Sequence, residues 1–130
     1  MTPTRPKPIG VYPARETGQR GEQIALEYLR AKGFEILDSN WHCSYGELDI
    51  IARHRDVIVF VEVRARHAAS TEVAFESIQA PKQRKLEKSA LAYLEAHHLE
   101  DSMWRIDVIA IALSRSGAAI IDHVEDALGW

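Results

Sequence analysis

Val57-Ile58-Val59-Phe60-Val61-Glu62-Val63 is a nearly unbroken run of apolar, mostly β-branched residues. Such a run fits a strand covered on both faces. Glu62 lies inside it, and ionising a carboxylate there costs several kcal/mol unless a cationic partner or a metal offsets it. A second apolar run, Leu48-Asp49-Ile50-Ile51-Ala52, carries an acid of its own. Between the two, His54-Arg55-Asp56 reads as a short hairpin turn. Two strands joined by a tight turn, each with one inward acid, have the pattern of a divalent-metal site.

Working outward, a helix is predicted from Thr17 or Gly18. Ile24, Ala25, Tyr28 and Leu29 give it helical spacing, and Gly33 ends it. Strands are predicted from Phe34 to Trp41, Gly46 to Arg53 and Val57 to Arg64. A polar segment, Ala65 to Ser70, and a short helical turn over 72–79 follow. Pro81 suits the first turn of a longer helix lined by Leu86, Ala90, Tyr93 and Leu94. Further strands are expected from Met103 to Leu113 and, after a turn at Ser114 to Gly117, from Ala118 to Val124. The order α-β-β-β-α-β-β gives an α/β domain, a mixed sheet flanked by helices. The third strand, long helix and fourth strand form a crossover expected to be parallel and right-handed.

The bulk numbers agree. With 130 residues, 46% of them hydrophobic, the chain reads as one domain. Residues 1–16 hold Pro3, Pro6, Pro8 and Pro13 and read as a flexible arm, leaving 17–130 as the domain. No apolar run is long enough to span a bilayer, and the first residues lack the apolar segment of a signal peptide. The single cysteine, Cys43, excludes an internal disulfide and a cysteine-based zinc cluster. A cytoplasmic setting is expected. The net charge of −3 argues against a protein that coats nucleic acid, but not against an enzyme with a small acidic site.

Side chains two apart on a strand share a face, so Glu62 and Arg64 point together, as do Glu47, Asp49 and Ile51. If the hairpin pairs its strands, Asp49 and Glu62 converge. Glu22 lies on the helix side of Ala25, Leu26 and Leu29 and reaches toward Asp49. These three carboxylates, Asp49, Glu62 and Glu22, are the candidate ligands for Mg2+ or Mn2+, which take oxygen donors and keep several waters. The plainer alternatives are a buried salt bridge from Arg64 to Glu62 or Asp49, a strand-start acid at Glu47, and a first-turn acid at Glu22 favoured by the helix dipole. Lys82, Arg84 and Lys85 with Lys88 form a basic cluster, and Arg66 and His67 follow Arg64. A phosphate contact and a solvated face are the two readings of these cations. Gln79 lies close to the cluster and is a candidate contact to the site. Asp107 is read as structural, paired with Arg105 or with a neighbouring helix. The histidines show no zinc spacing, and there is no glycine-rich phosphate loop.

Gly21-Glu22-x-x-Ala25, Gly33-Phe34-x-Ile36-Leu37, Asn40, Gly46-Glu47-Leu48-Asp49-Ile50-Ile51-Ala52, Phe60-Val61-Glu62-Val63 and Arg105-Ile106-Asp107-Val108 together resemble the YraN-like family. That family is largely uncharacterised and is placed in the restriction-endonuclease-like, PD-(D/E)XK superfamily. The resemblance covers residues 17–128, and the layout is also similar to archaeal Holliday-junction resolvases. It implies a restriction-endonuclease-like fold, Asp49 and Glu62 as metal ligands, and Glu22 as the acid of the first helix. Arg64 stands where the superfamily has lysine. An arginine stays protonated and cannot act as a general base, although it can hold a phosphate.

Three functions compete. The first is a Mg2+- or Mn2+-dependent endonuclease acting on DNA, with branched DNA as a candidate substrate and, by analogy with junction-cutting enzymes, a homodimer. The second is a non-catalytic nucleic-acid-binding module of the same fold. The third is an assembly factor in which Glu62 and Arg64 are a buried ion pair.

Overall fold

The computed structural model describes residues 14–77 and 80–127. Its elements run α1 (Ala14–Ala31), β1 (Glu35–Cys43), β2 (Gly46–His54), β3 (Val57–His67), α2 (Glu72–Glu76), α3 (Ala80–Ala96), β4 (Met103–Leu113) and β5 (Ala119–Val124). The strands form one five-stranded sheet in the order β1-β2-β3-β4-β5. The β3–β4 pair is parallel, as a crossover through α3 requires, and the other pairs are antiparallel. This is the mixed α/β layout that the pattern of elements predicts.

Helices α1 and α3 cover opposite faces of the sheet, and the short α2 packs against β3 and β4. Ala25 and Leu29 of α1 pack with Ile50, Val59, Val61, Ala65, Ile109 and Ile111. Leu86, Ala90, Tyr93 and Leu94 of α3 pack with Leu48, Ile51, Ile58, Phe60 and Ile106. The alternation of β3 and β4 between these two layers explains why both strands read as continuous apolar runs.

Local chemistry sets the element ends. Gly33 closes α1 at φ +88°, where the Phe34 N–H reaches the Leu29 carbonyl at 3.0 Å and satisfies an orphan helix-end acceptor. The β2–β3 hairpin turns through Arg55 and Asp56, both at positive φ, which matches the twist of the flanking strands.

Two boundaries differ from expectation. Helix α1 starts at Ala14 rather than Thr17, so the predicted arm gives up its last residues; residues 1–13 lie outside those described. Thr17 is buried inside the helix instead of capping it. Strand β3 continues to His67 through the segment read as polar, because β4 pairs with it up to Leu113. The predicted helical turn over 72–79 is the shorter α2, and Gln79 lies outside the described residues.

Helix α1 approaches β3 closely at Gly21, where an added Cβ would lie 2.6 Å from the Ala65 Cβ. Gly21→Ala is therefore expected to cost about 1–3 kcal/mol through overpacking, outweighing the roughly 1 kcal/mol that alanine adds to helix propensity. Urea unfolding measures this loss, and adding Ala65→Gly is expected to recover part of it.

Candidate functional site

The site begins where two strands part. The β2–β3 ladder ends at the Ile50–Val61 pair. Asp49 and Glu62 occupy the next position on each strand, at the mouth of the fork. Beyond it β2 stays paired with β1, while β3 stays paired with β4. The Val63 N–H, which has lost its partner across the ladder, donates to Asp49 Oδ2 at 2.9 Å. A carboxylate here does a backbone carbonyl's work and holds the fork open.

The alternation of β2 also breaks at this point. Leu48 packs on the α3 side and Ile50 on the α1 side, although residues two apart normally share a face. Across the strand, between the Ser39–Ile50 and Trp41–Leu48 pairs, Asn40 sits at φ +52°. This is a conformation that asparagine tolerates better than most residues. The expectation that Glu47, Asp49 and Ile51 share one face assumed unbroken alternation, and it fails here.

Asn40 then gathers the acids. With its amide nitrogen turned toward them, it donates to Glu22 Oε2 at 3.1 Å and to Glu47 Oε1 at 3.0 Å. Glu22 is half-buried at the α1 side of the fork. Burial first, then repulsion from Asp49 and Glu47, raises its carboxyl above the ordinary 4.5, against the Asn40 hydrogen bond that lowers it. A carboxyl raised on folding makes the folded state bind its proton more tightly, so stability falls as pH rises from the ordinary value through the raised one. Glu22→Gln is accordingly expected to raise the melting temperature at pH 7 in EDTA and to leave it nearly unchanged at pH 4. Paired thermal melts check this.

Glu62 is 3% exposed and bonded to Arg64, whose Nη2 lies 2.9 Å from Glu62 Oε1. It lines a narrow apolar cleft with Leu48, Phe60, Leu86 and Ile106, under the first turns of α3. The Arg64 Nε is buried and makes no hydrogen bond among the described residues.

The donors are carboxylate oxygens, the chemistry a hard divalent ion prefers. Yet among the described residues no three histidine, cysteine, aspartate or glutamate side chains stand close enough to hold a metal. Glu22, Asp49 and Glu62 are thus not a closed cage: Asn40 holds the first, the Val63 amide the second and Arg64 the third. A pair of acids with waters and phosphate oxygens still fits Mg2+, which commonly uses one or two carboxylates.

The predicted cations separate. Arg84 and Lys85 are exposed on α3. Arg66 Nη1 instead donates to the Ala65 carbonyl at 2.7 Å. The Lys82 side chain lies outside the described residues. Glu47 and Asn40 are the site residues that sequence reasoning underrated. An asparagine amid strand residues was the available signal, since it is disfavoured there.

Residues 21–111 match the uncharacterised protein family UPF0102. The chain belongs to that family. A UPF0102 protein of Myxococcus xanthus (strain DK1622) is 42% identical over 113 residues, covering 87% of this chain and 89% of its own length. One from Chloroflexus aurantiacus (strain ATCC 29366 / DSM 635 / J-10-fl) is 45% identical over 118 residues, covering 90% and 96%. A third, from Pelobacter propionicus (strain DSM 2379 / NBRC 103807 / OttBd1), is 44% identical over 115 residues, covering 87% and 82%. The YraN-like family that the motifs resemble is this one.

In this UPF0102 chain a second polar centre lies on the α1 side of the sheet. Asp107 of β4 is fully buried. Arg105 grips it with Nε at 2.9 Å and Nη2 at 3.3 Å, and the Asp126 N–H donates at 3.0 Å. His123 of β5 lies with Nε2 2.7 Å from Asp107 Oδ2 and Nδ1 3.2 Å from the Tyr28 hydroxyl. Because an ionised carboxylate only accepts, Nε2 carries the proton, and in the neutral ring Nδ1 accepts from Tyr28. The network joins α1, β4, β5 and the C-terminal turn. The predicted Arg105 partner is present, and the structural reading of Asp107 fits its burial. Among the described residues no helix is long and apolar enough to cross a membrane.

Proposed function

We propose that the protein is a Mg2+- or Mn2+-dependent nuclease of the restriction-endonuclease-like kind, cutting DNA phosphodiesters. The observation that carries this reading is the placement of Asp49 and Glu62 at the mouth of the β2–β3 fork, with Glu22 brought up near Asp49 from α1. A bound divalent ion would supply Lewis-acid stabilisation of phosphate charge and a more acidic water.

The chain's own residues divide the remaining work. Asp49 and Glu62 present the oxygens that would hold the ion. Arg64 holds Glu62 Oε1 in place, and its unengaged Nε is a donor for a phosphate oxygen. Because Arg64 stays protonated, it holds charge and removes no proton. Glu22, with its raised affinity for a proton, would be the acid suited to accept one from an attacking water. Arg84 and Lys85 on α3 supply the positive charge that the net −3 of the chain otherwise lacks.

Arg64 at the lysine position favours a second reading, a DNA-binding module of the same fold that no longer cuts, while the buried Glu62–Arg64 ion pair is the contact expected of an assembly factor. Incubation of the purified protein with supercoiled, linear, single-stranded and four-way-junction DNA separates the two. Cutting in Mg2+ or Mn2+ that stops in EDTA is the expected result, and the preferred DNA names the substrate. Salt-sensitive binding without cutting on every DNA would establish the module instead.

A further inference from the structure

The β1–β2 turn carries Tyr45, which is 49% exposed, as no core-facing tyrosine would be. It stands over α3. Its ring lies 5.7 Å from Lys88 Nζ, and the two line an open cavity of about 200 Å³ with Leu91, Ala92 and Glu95. Leu91 is 54% exposed, so the floor of the cavity is apolar surface left in water. The turn is braced beneath: Cys43 Sγ lies 3.5 Å from the buried Ser89 Oγ.

We propose that this cleft binds an unpaired nucleobase of single-stranded DNA, stacked on Tyr45, with the adjoining phosphate at Lys88. An exposed aromatic beside apolar surface, with a lysine ammonium poised over its ring, matches what a base and its phosphate present together. Lys88, Leu91 and Glu95 recur at helical spacing on one face of α3, and Arg84 lies one turn before Lys88 on the same face. A strand leaving the cleft along this exposed face thus meets a second cation, Arg84. Glu95 accepts hydrogen bonds only, so it faces a base's exocyclic amino group rather than another phosphate. The proposal rests on the nucleic-acid reading above and adds to it that the DNA is unpaired beside the site.

Fluorescence anisotropy in EDTA with a short labelled single strand tests it, with Tyr45→Ala, Tyr45→Phe and Lys88→Gln as variants. Tyr45→Ala is expected to weaken binding roughly tenfold, by loss of one stacked base. Tyr45→Phe should bind like the wild type, and Lys88→Gln should flatten the salt dependence. A fully paired duplex of equal length should bind more weakly, with no loss in Tyr45→Ala. Unchanged affinity in Tyr45→Ala, or equal loss on the duplex, overturns the cleft. Because the assay runs in EDTA and reads binding alone, failure of the nuclease reading shows in cleavage assays and failure of the cleft shows here.

Discussion

Asp107→Ala is expected to remove about 3–5 kcal/mol of folding stability, the usual consequence of breaking a buried ion pair from one side. The substitution leaves Arg105 and His123 facing a void and takes the acceptor from the Asp126 amide. Domains of this kind have about 5–15 kcal/mol in total, so the variant should unfold at low urea or in the cold-to-warm range of an ordinary melt. Asp107→Asn keeps the volume and some hydrogen bonds and should lose less. The same carboxylate sets part of the acid limb. Burial alone would raise it, but hydrogen bonds from His123, Arg105 and Asp126, with the charge of Arg105, hold it below the ordinary 3.8. The unfolded chain therefore binds this proton more tightly. The contribution is complete above pH 3.8 and is lost as pH falls through the lower folded value. Urea midpoints between pH 2 and pH 6 should show that component in the wild type and not in Asp107→Asn. No such difference would mean that Asp107 contributes nothing through its charge.

The second large effect falls on Asp49. Under the proposed function, Asp49→Ala is expected to lower metal-dependent cleavage by about 10³-fold or more, since a charge that would hold the ion would contribute several kcal/mol to the transition state. Alanine also strands the Val63 N–H, so a loss of activity in that variant mixes charge with structure. Asp49→Asn separates them: its side-chain oxygen still accepts from Val63 while the charge is gone. It should melt close to the wild type and cleave as poorly as alanine. Arg64→Lys is expected to move the other way. Lysine retains the attraction to Glu62 and adds a group able to exchange a proton, which a positioned acid or base converts into roughly 10–100-fold in rate. Single-turnover rates on the preferred DNA measure both variants.

Much of the fold was legible because its signals are local. The apolar runs at Val57–Val63 and Met103–Leu113 mark the buried centre of the sheet, and the intervening helix fixes their parallel pairing. Gly33 marks the end of α1 through a backbone angle that glycine adopts freely. Asp49 and Glu62 stood out because each is a charge within an apolar strand. What stayed hidden depends on residues far apart in the chain. Tyr28 and His123 are 95 positions apart, and no pattern along the sequence announces that α1 crosses β5 at that point. The role of Asn40 depends on the break in alternation at Asp49, which a strict period-2 reading of β2 smooths over. The early start of α1 was missed because the prolines ahead of it suggested an open arm, whereas Ala14, Arg15 and Glu16 are competent helix formers once Thr17 is buried.

The central claim is that the fork acids form a metal-dependent phosphodiesterase centre. The most direct test measures cleavage of four-way-junction and single-stranded DNA in Mn2+, Mg2+ and EDTA, using wild type, Asp49→Asn and Glu62→Gln purified in parallel. The account predicts cutting by the wild type in either metal, none in EDTA, and loss in both variants, with the melting temperature of Asp49→Asn largely kept. Cutting by Asp49→Asn at the wild-type rate, or no cutting by the wild type in any metal, would contradict it.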